Sequence, residues 1–228
     1  MMGLPISVII PLAPDEGAWK ELVPQLNLPE GSEIILAVGE KYPAQMEGPF
    51  RFVKSAAGRA QQMNAGAREA TTDVLWFLHA DSRLGQNAIA KLLQCLKDNA
   101  DKLWFFDLKF SDDGPDAMKW NEHAVKWRSG TLKMPFGDQG FCLSRELFFR
   151  LDGYREDLGY GEDHVFAWKV RQEGYSVERV GADIFTSARK YENGGWLRTT
   201  WAHVWRTVWQ GVPQCIVLLY RQIGRLFR

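Results

Sequence analysis

The sequence predicts an α/β protein built on a mostly parallel sheet that is flanked by helices on both sides. Short apolar runs alternate with helical segments through the first half of the chain, and the runs are too apolar for strands with one face in water. The 228 residues, of which 46% are hydrophobic and 25% charged, suffice for a full core without covalent staples. Length alone predicts one domain or a domain and a half.

Four apolar runs in the first half are predicted as buried strands, and the segments between them as helices. The strands are residues 6–11, 33–38, 50–53 and 74–78. The helices are residues 15–27, with Asp15 as the candidate N-cap, 58–72 and 86–98. Because ligands bind at the carboxyl ends of parallel strands, the residues that follow each strand are the candidates for a functional site.

The second half is less regular, and its predicted elements alternate less strictly. They are a strand at 104–110, a helix at 116–130, a loop at 134–140, a strand at 141–143, a helix at 145–151 capped by Ser144, a helix at 163–173, an edge strand at 175–180, and tail helices at 194–211 and 212–227. The two tail helices are expected to separate near Gly211 and Pro213, because proline breaks helical hydrogen bonding.

Composition and missing motifs exclude several classes of protein. The 28 Lys+Arg balance the 28 Asp+Glu, which argues against a nucleic-acid coat. Three cysteines without CxxC spacing exclude a disulfide scaffold and a zinc ribbon, and with no signal peptide in view they predict a reducing, cytoplasmic location. The sequence has no apolar run of about 18 residues or more, so no membrane-spanning helix is predicted. The sequence also lacks GxSxG, Walker A and GxGxxG runs, so it gives no support to a hydrolase, a P-loop enzyme or a dinucleotide oxidoreductase.

Polar residues that follow the predicted strands have a functional and a simpler interpretation. Asp81 follows the fourth strand, where a carboxylate can hold Mg²⁺ or Mn²⁺ or can simply cap a turn. Gly58 and Arg59 begin a predicted helix, where backbone N–H groups and a guanidinium suit a phosphate. A solvated helix arginine is the commoner explanation of that pattern.

Two acidic positions in the second half are treated in the same way. Glu162 and Asp163 begin a helix behind a glycine-rich run, so they either cap the helix or present a base to a substrate. Asp138 and Gln139 lie in a loop flanked by glycines, and either form a turn or contact a polyol acceptor.

Five motifs, in this order, resemble those of family 2 glycosyltransferases with the GT-A fold, the Rossmann-like fold of nucleotide-diphospho-sugar transferases. They are residues 7–11, 58–66, 77–83 (where the family carries its metal-binding DxD), 135–140 and 161–163, and residues 186–190 then follow in the right order. The resemblance covers residues 6–198. Within the family, the sequence is most similar to a bacterial subfamily associated with arsenosugar biosynthesis.

This resemblance implies an inverting transfer from a nucleotide-diphospho-sugar to a hydroxyl acceptor, assisted by Mn²⁺ or Mg²⁺. By position, Asp81 would bind the metal, Asp163 would act as the general base, and Glu162 would assist it. The donor would meet Pro11, Glu40, Gly58, Arg59, Asn64, His79 and Asp81, and the acceptor would meet Asp138 and Gln139.

The sequence departs from the family pattern at two places. The turn at residues 38–42 lacks the family's aspartates, which leaves Glu40 as the candidate for binding ribose. His79 replaces the first aspartate of the DxD, which predicts either weaker metal binding or a histidine that faces the diphosphate. The altered turn at residues 38–42 keeps open a non-catalytic GT-A-like domain that binds nucleotide or protein. A sugar-phosphate nucleotidyltransferase is disfavoured, because residues 11–17 contain no arginine or lysine.

The tail, residues 194–228, differs in composition from the predicted catalytic domain, residues 1–193. Residues 181–228 contain seven Arg/Lys and two acids, a net charge of +5. Trp201, Trp205 and Trp209 recur at a spacing that places them on one helix face. This face is expected to pack on the catalytic domain, on a second subunit in a homo-oligomer, or at a membrane interface, the last giving a peripheral enzyme with a lipid-linked acceptor. No nucleic-acid partner is expected.

Overall fold

The computed structural model describes residues 3–42, 47–111, 113–115, 117–188 and 196–226. Its strands are β1 (Ser7–Leu12), β2 (Glu33–Gly39), β3 (Arg51–Ser55), β4 (Val74–Phe77), β5 (Arg83–Leu84), β6 (Leu103–Phe110), β7 (Phe141–Ser144) and β8 (Val177–Thr186). They form one sheet in the order β3-β2-β1-β4-β7-β6-β8-β5. Pairing is parallel among β1 to β4 and between β6 and β8, whereas β7 and β5 run antiparallel to their neighbours. The predicted mostly parallel sheet is confirmed.

Helices cover both faces of this sheet, as predicted. They are α1 (Trp19–Leu22), α2 (Arg59–Glu69), α3 (Ala88–Asp98), α4 (Met118–Thr131), α5 (Arg145–Arg150), α6 (Glu162–Gln172) and α7 (Trp196–Leu226). Side chains alternate across β1, so that Ile10 packs in one core with Leu92 of α3, and Ile9 packs in the other with Met63 of α2. The two cores hold the helices in fixed positions over the sheet.

Close packing of α2 on the sheet positions the start of that helix. A Cβ at Gly66 would lie 2.6 Å from Cγ2 of Ile9, so only glycine permits this approach. Gly58 precedes the helix with φ at 135°, a conformation that L side chains rarely adopt. The chain therefore turns sharply before Arg59, which lies at the carboxyl edge of the sheet.

The prediction of a helix over residues 15–27 is wrong in length. The α-helix spans only Trp19–Leu22 and continues as a 3₁₀ turn over Val23–Gln25. Pro24 lacks the N–H that a longer α-helix needs at this point. Glu16 rather than Asp15 accepts a backbone hydrogen bond near the helix start, from the N–H of Ala18 at 2.8 Å.

The predicted edge strand at 175–180 is neither short nor at the edge. β8 runs for ten residues between β6 and the two-residue strand β5, which pairs Leu84 with Ile184. Burial continues to alternate beyond Gly181, through Ala182 and Ile184. β5, which covers the outer side of β8, is too short to carry a periodic signal of its own.

The two predicted tail helices are one, α7, which passes through Pro213 without a break. A proline removes one backbone donor, and packing on both sides of it compensates here. Gly211 is buried close to His164 and Trp168, and Nε2 of Gln172 donates to the carbonyl of Gln214 at 3.0 Å. Within the described segments, none of the helices has the length and apolarity needed to span a bilayer.

Candidate active site

A cavity of about 390 Å³ lies at the carboxyl end of the sheet, where the predicted site residues were expected to meet. Segments distant in sequence form its wall: the start of α2, the turn after β4, the loop before β7, the start of α6, the end of β8 and the middle of α7. The lining residues are Arg59, His79, Asp81, Phe136, Asp138, Tyr160, Gly161, Asp163, His164, Thr186, Ser187, Thr207 and Gln210.

Arg59 connects three of these segments. Its Nε donates to Oε1 of Glu162, its Nη2 lies 3.5 Å from Oδ2 of Asp163, and its Nη1 lies 3.3 Å from Nε2 of His79. Burial by itself lowers the pKa of Arg59, but the charges of Asp163 and Glu162 outweigh it and raise the pKa. A permanent positive charge therefore stands at the centre of the cavity wall.

Asp163 is held in place by two backbone groups. Its Oδ2 accepts the N–H of Gly137 at 2.6 Å, and its Oδ1 accepts the N–H of His164 at 2.7 Å. Burial raises the pKa of Asp163, but Arg59 and the hydrogen bond from Gly137 more than offset this, so the net pKa is lowered. The cavity therefore contains an ionised and oriented carboxylate, which is what a general base requires.

Glu162 has a different environment from its neighbour. Its side chain is almost fully buried against Arg59, and it does not line the cavity. The pair of acids that the sequence places at the start of α6 is therefore divided between two tasks. Asp163 faces the cavity, and Glu162 orients the guanidinium.

His79 is a neutral side chain at the end of β4. Burial lowers its pKa, and the nearby charge of Arg59 lowers it further, against smaller opposite effects of Asp138 and Asp81. Because a guanidinium can only donate, Nε2 of His79 accepts from Arg59, and Nδ1 carries the proton. The imidazole is therefore not a second cation beside Arg59.

Asp81 is the carboxylate that the sequence assigns to a metal. Its Oδ2 accepts from Oγ1 of Thr186 at 3.0 Å, which fixes the side chain toward the cavity. Over the residues that the structure describes, no three His, Cys, Asp or Glu side chains form a ready-made metal cluster. Oxygen donors suit Mg²⁺ and Mn²⁺, and both ions commonly share their shell with phosphate. Asp81 with neutral His79 therefore fits an ion that is bound jointly with a diphosphate.

Asp138 and Gln139 are neighbours that face opposite ways. Asp138 lines the cavity, and its buried Oδ1 has no hydrogen-bond partner among the residues that the structure describes. Gln139 is fully buried: its Nε2 donates to the carbonyl of Phe106 at 2.9 Å, and its Oε1 accepts the N–H of Phe136 at 3.2 Å. Gln139 thus holds the loop that presents Asp138.

The side chain of Asn64 forms hydrogen bonds to a loop and does not line the cavity. Its Nδ2 donates to the carbonyl of Tyr154 and to Oε1 of Glu156, both at 2.8 Å, and its Oδ1 accepts the N–H of Tyr154 at 3.0 Å. These bonds tie α2 to the segment that leads into α6. The side-chain amide of Asn64, which the resemblance assigns to binding the nucleotide-sugar, is therefore occupied by these hydrogen bonds.

The remaining predicted donor contacts do not line the cavity. Pro11 is in β1 opposite Ala37 of β2, and Glu40 is exposed in the turn that follows β2. Gly58 lies beside Arg59 at the start of α2. Of the motif at 186–190, Thr186 and Ser187 reach the cavity, and Arg189 and Lys190 lie outside the described residues.

Several lining residues were not predicted, and His164 is the most polar of those near the base. Its Nε2 accepts from Nε1 of Trp168 at 3.1 Å, and Phe136 packs edge-on against its ring. Burial lowers its pKa to about 4, so the ring is neutral, and within the described part of the chain its buried Nδ1 has no hydrogen-bond partner. In the sequence, the position of His164 next to Asp163 is the signal that could have identified it as a site residue.

The tail contributes Thr207 and Gln210 to the cavity wall, which sequence analysis also missed. Nε2 of Gln210 donates to the carbonyl of Tyr160 at 3.2 Å. Gly161 has a φ of 75°, a conformation that favours glycine, at the point where α7 meets the start of α6. The signal for this contact was a set of polar residues on the helix side opposite the tryptophans.

Comparisons with known proteins agree with this arrangement. The family model described as Glycosyl transferase family 2 matches residues 33–156, more than half of the chain. No curated protein matches the sequence. The crystal structure of GalNAc-T7 with UDP, GalNAc and Mn²⁺ superposes with a TM-score of 0.60 at 18% identity, over 81% of this chain and 44% of that one.

A second similar structure is that of S. aureus TarS, residues 1–349. It has a TM-score of 0.59 at 14% identity, over 82% of this chain and 61% of TarS 1–349. At these identities the likeness concerns the fold. The chain spans less than two thirds of either protein.

Proposed function

The chain belongs to glycosyl transferase family 2 and has the GT-A fold, and from this premise we propose that it transfers a glycosyl unit from a nucleotide-diphospho-sugar to a hydroxyl acceptor. The single observation that carries the proposal is the ionised Asp163 carboxylate, which faces a polar cavity beside the guanidinium of Arg59. The carboxylate can accept a proton from the acceptor, and the guanidinium can bind the departing diphosphate. Membership of the arsenosugar-associated subfamily stays a prediction.

In the proposed step the acceptor oxygen attacks the anomeric carbon from the face opposite the diphosphate. The new C–O bond forms as the bond to the diphosphate oxygen breaks, and that oxygen keeps the electron pair. Asp163 takes the hydroxyl proton, and the N–H groups of Gly137 and His164 hold it in the required orientation. Attack from the opposite face inverts the anomeric centre.

Charge on the leaving diphosphate would be met by Arg59. Its guanidinium is fixed at the amino end of α2, and Glu162 holds its Nε. Asp81, with neutral His79 nearby, would hold Mn²⁺ or Mg²⁺, which when bound offsets phosphate charge. The presence of Mn²⁺ and UDP in the GalNAc-T7 structure supports this assignment.

The donor's nucleoside and the acceptor are assigned to different parts of the carboxyl edge. We propose that the base and ribose lie over the ends of β1 and β2, near Pro11 and Glu40, with Gly58 allowing the backbone to approach the phosphates. Oδ1 of Asp138, which meets no donor in the described segments, is suited to a hydroxyl of the acceptor. In this proposal Gln139 and Asn64 position loops and do not contact substrate.

A thermal-shift screen tests the donor half of the proposal. UDP, GDP, CDP and dTDP are each added with and without Mn²⁺, and a ligand at about 100 times its Kd adds about 2.7 kcal/mol. For a chain of this length, that amounts to a shift of several degrees. The proposal expects a metal-dependent shift with one nucleotide, followed by release of that nucleoside diphosphate from its sugar conjugate when acceptor is present.

A second candidate is a domain that binds nucleotide or protein without turnover. The replacement of the first DxD aspartate by His79 favours it, as does the lack of a ready-made metal cluster in the described part of the chain. Nucleotide binding without release of nucleoside diphosphate, over a broad screen of donors and acceptors, would support this candidate and contradict the transferase.

A cytoplasmic location remains part of the proposal. All three cysteines, Cys95, Cys142 and Cys215, are free thiols, as expected in a reducing compartment. Nucleotide-diphospho-sugars as donors are compatible with that location. A homo-oligomer stays a prediction, to be tested by sedimentation of the full chain.

A further inference from the structure

The long helix α7 has two faces of opposite character. Its inner face packs against α6, where Gly211 and Leu218 are buried, and it delivers Thr207 and Gln210 to the cavity. Its outer face is apolar, and each large side chain on it is between 53% and 80% exposed. These residues are Trp201, Trp205, Trp209, Val212, Ile216, Leu219, Tyr220 and Ile223. At 3.6 residues per turn they fall in one band about 100° wide.

Aromatic side chains are concentrated at the amino-terminal half of this outer face. The rings of Trp205 and Trp209 stack at 6.3 Å, although each is about two-thirds exposed. The neighbouring helix α4 contacts α7 through Asn121, whose Oδ1 accepts from Nε1 of Trp196 at 3.2 Å. α4 exposes two more tryptophans, Trp120 and Trp127. Tryptophan on an exposed apolar face is typical of the headgroup region of a bilayer.

The charge of α7 selects among the possible occupants of this face. The helix contains Arg198, Arg206, Arg221 and Arg225, and no aspartate or glutamate. Arg221 lies toward α6, where it pairs with Glu173, whereas Arg198 is exposed within the outer band and Arg206 is the next position after Trp205. A second copy that docked through the same helix face would offer this positive charge no acidic partner. An anionic lipid surface supplies the opposite charge.

The thickness of α7 links this outer face to the cavity. Trp209 is on the outer face, and the next residue, Gln210, lines the cavity. An α-helix with its side chains is about 10 Å across, so the two surfaces are separated by a single helix. Gln210 also contacts Tyr160, which is half exposed and lies on the cavity wall. A molecule anchored in a lipid surface beside α7 would have its headgroup within reach of Asp138 and Asp163.

We propose that the outer face of α7 lies in the interface of an anionic bilayer and that the acceptor is a lipid whose hydroxyl-bearing headgroup enters the cavity beside Gln210. This inference rests on the proposed function, because it names the acceptor class of the same site. The apolar part of the acceptor stays in the bilayer, along the helix, and its headgroup crosses the thickness of α7 to meet the base.

Vesicle flotation tests the membrane half without reference to catalysis. The full chain is mixed with phosphatidylcholine vesicles, with and without about 30% phosphatidylglycerol. We expect it to float with the anionic vesicles, and the double variant Trp205→Gln, Trp209→Gln to bind them at least about tenfold more weakly. The control is Phe149→Gln, which changes an exposed aromatic residue on α5 and should leave binding unchanged.

Two results would overturn this half of the proposal. One is equal flotation of the wild type and the double variant. The other is a concentration-dependent dimer, seen by sedimentation, that the double variant loses, because that would assign the outer face to a second copy. Circular dichroism and thermal unfolding of the variant verify that its fold is intact, since both tryptophans are exposed.

A transfer assay tests the acceptor half. The nucleotide found by thermal shift is supplied as its radiolabelled sugar conjugate, with vesicles of a total bacterial lipid extract. We expect label in the chloroform-soluble fraction, and at least about a tenfold loss of it in the double variant, in proportion to its weaker vesicle binding. The nucleotide-induced thermal shift of that variant should equal that of the wild type, because neither tryptophan lines the cavity.

The outcomes separate this inference from the proposed function. Nucleotide binding and label transfer confined to water-soluble acceptors would overturn the lipid acceptor and leave the transferase standing. Vesicle binding without any nucleotide-induced shift would instead contradict the proposed donor, and the lipid acceptor with it.

Discussion

Nη2 of Arg59 lies 3.5 Å from Oδ2 of Asp163, so the guanidinium at the start of α2 is paired with the carboxylate at the start of α6. The same guanidinium also pairs with Glu162, which is nearly fully buried. A diphosphate that enters the cavity would compete with both acids for Arg59. Donor binding and the ionisation of the base are therefore coupled through one side chain.

Replacing Asp163 by Asn should remove transfer while leaving nucleotide binding intact. An amide cannot take the acceptor proton, so kcat should fall by about 10²- to 10⁴-fold. The measurements are steady-state release of nucleoside diphosphate and the thermal shift with nucleotide. The control is Asp157→Asn, an exposed acid on the segment before α6, which should behave like the wild type. Equal loss of binding and turnover would contradict the assignment of Asp163 as base.

Replacing Arg59 by Met should move the acid limb of the kcat profile to higher pH. Burial raises the pKa of Asp163 and Arg59 lowers it, so removal of the guanidinium leaves the raising effect less opposed. The base works only when it is deprotonated, and activity therefore begins at a higher pH in this variant. Arg59→Lys keeps the charge and should retain more of the wild-type profile.

The matched control for Arg59 is Arg68→Met, on the same helix and well exposed. Its profile should overlie that of the wild type. An Arg59→Met profile with lower kcat but an unmoved acid limb would show that the guanidinium does not control the base.

Replacing Asp81 by Asn should abolish the dependence of nucleotide binding on Mn²⁺, because the neutral amide is a weaker ligand for a hard cation. Isothermal titration with the nucleotide, at several Mn²⁺ concentrations, gives the metal dependence. Thr186→Val removes the hydroxyl that holds Oδ2 of Asp81, and should weaken metal affinity about tenfold without abolishing it. Unchanged titration curves for Asp81→Asn would place the metal elsewhere.

Exchanging the neighbours Asp138 and Gln139 for Ala, one at a time, should have opposite consequences. Gln139→Ala leaves the buried carbonyl of Phe106 without its donor, so unfolding free energy should fall by about 1–3 kcal/mol. Asp138→Ala should raise KM for the acceptor and leave the unfolding midpoint close to that of the wild type. Thermal unfolding and acceptor titrations distinguish the two, and similar midpoints for both variants would contradict this division.

Glu33 should make stability depend on acid pH. Burial raises its pKa, but hydrogen bonds from Ser7 and Thr71, and one from Arg51, lower it from 4.5 to about 2. A carboxylate whose pKa is lower in the folded state stabilises the protein above its unfolded pKa, and this contribution is lost as pH falls from about 4.5 toward about 2. Glu33→Gln should therefore unfold at a lower temperature at pH 7.

The difference in midpoint between the wild type and Glu33→Gln should narrow between about pH 5 and pH 2. Differential scanning fluorimetry over that range measures it. Glu30→Gln, an exposed acid in the turn just before β2, is the control and should show no such convergence. A constant difference at all pH values would mean that the loss arises from packing alone.

Sequence patterns predicted the layered part of the fold, because each layer depends on local periodicity. The short, continuous apolar run of β1 indicates a buried strand, and the small residues of α2 indicate a helix, before any long-range contact is considered. The rule that ligands bind at the carboxyl ends of parallel strands then led to His79 and Asp81, which the structure brings to one cavity with Arg59, Asp138 and Asp163. The predicted edge strand was wrong because its alternation continues to Thr186 beside β5, and the predicted division of α7 near Gly211 and Pro213 was wrong because packing carries the helix through the proline.

Tertiary structure decided which of two adjacent polar side chains faces the cavity. Asp138 and Gln139 are equivalent candidates in the sequence, and only the family resemblance ranks Asp163 above Glu162 as the base. Their roles depend on partners far along the chain, such as the carbonyl of Phe106 and the guanidinium of Arg59. Asn64 is diverted to the backbone of Tyr154 for the same reason.

In the tail, too, the sequence determined one property and the tertiary structure another. Its sequence determined an amphipathic, basic helix with tryptophans on one side, because helical periodicity is a local property. Only the packed structure placed Gln210 in the cavity wall and left Trp205 and Trp209 exposed. Periodicity indicates which residues share a face of an element, but the surface that this face meets depends on contacts between segments distant in sequence.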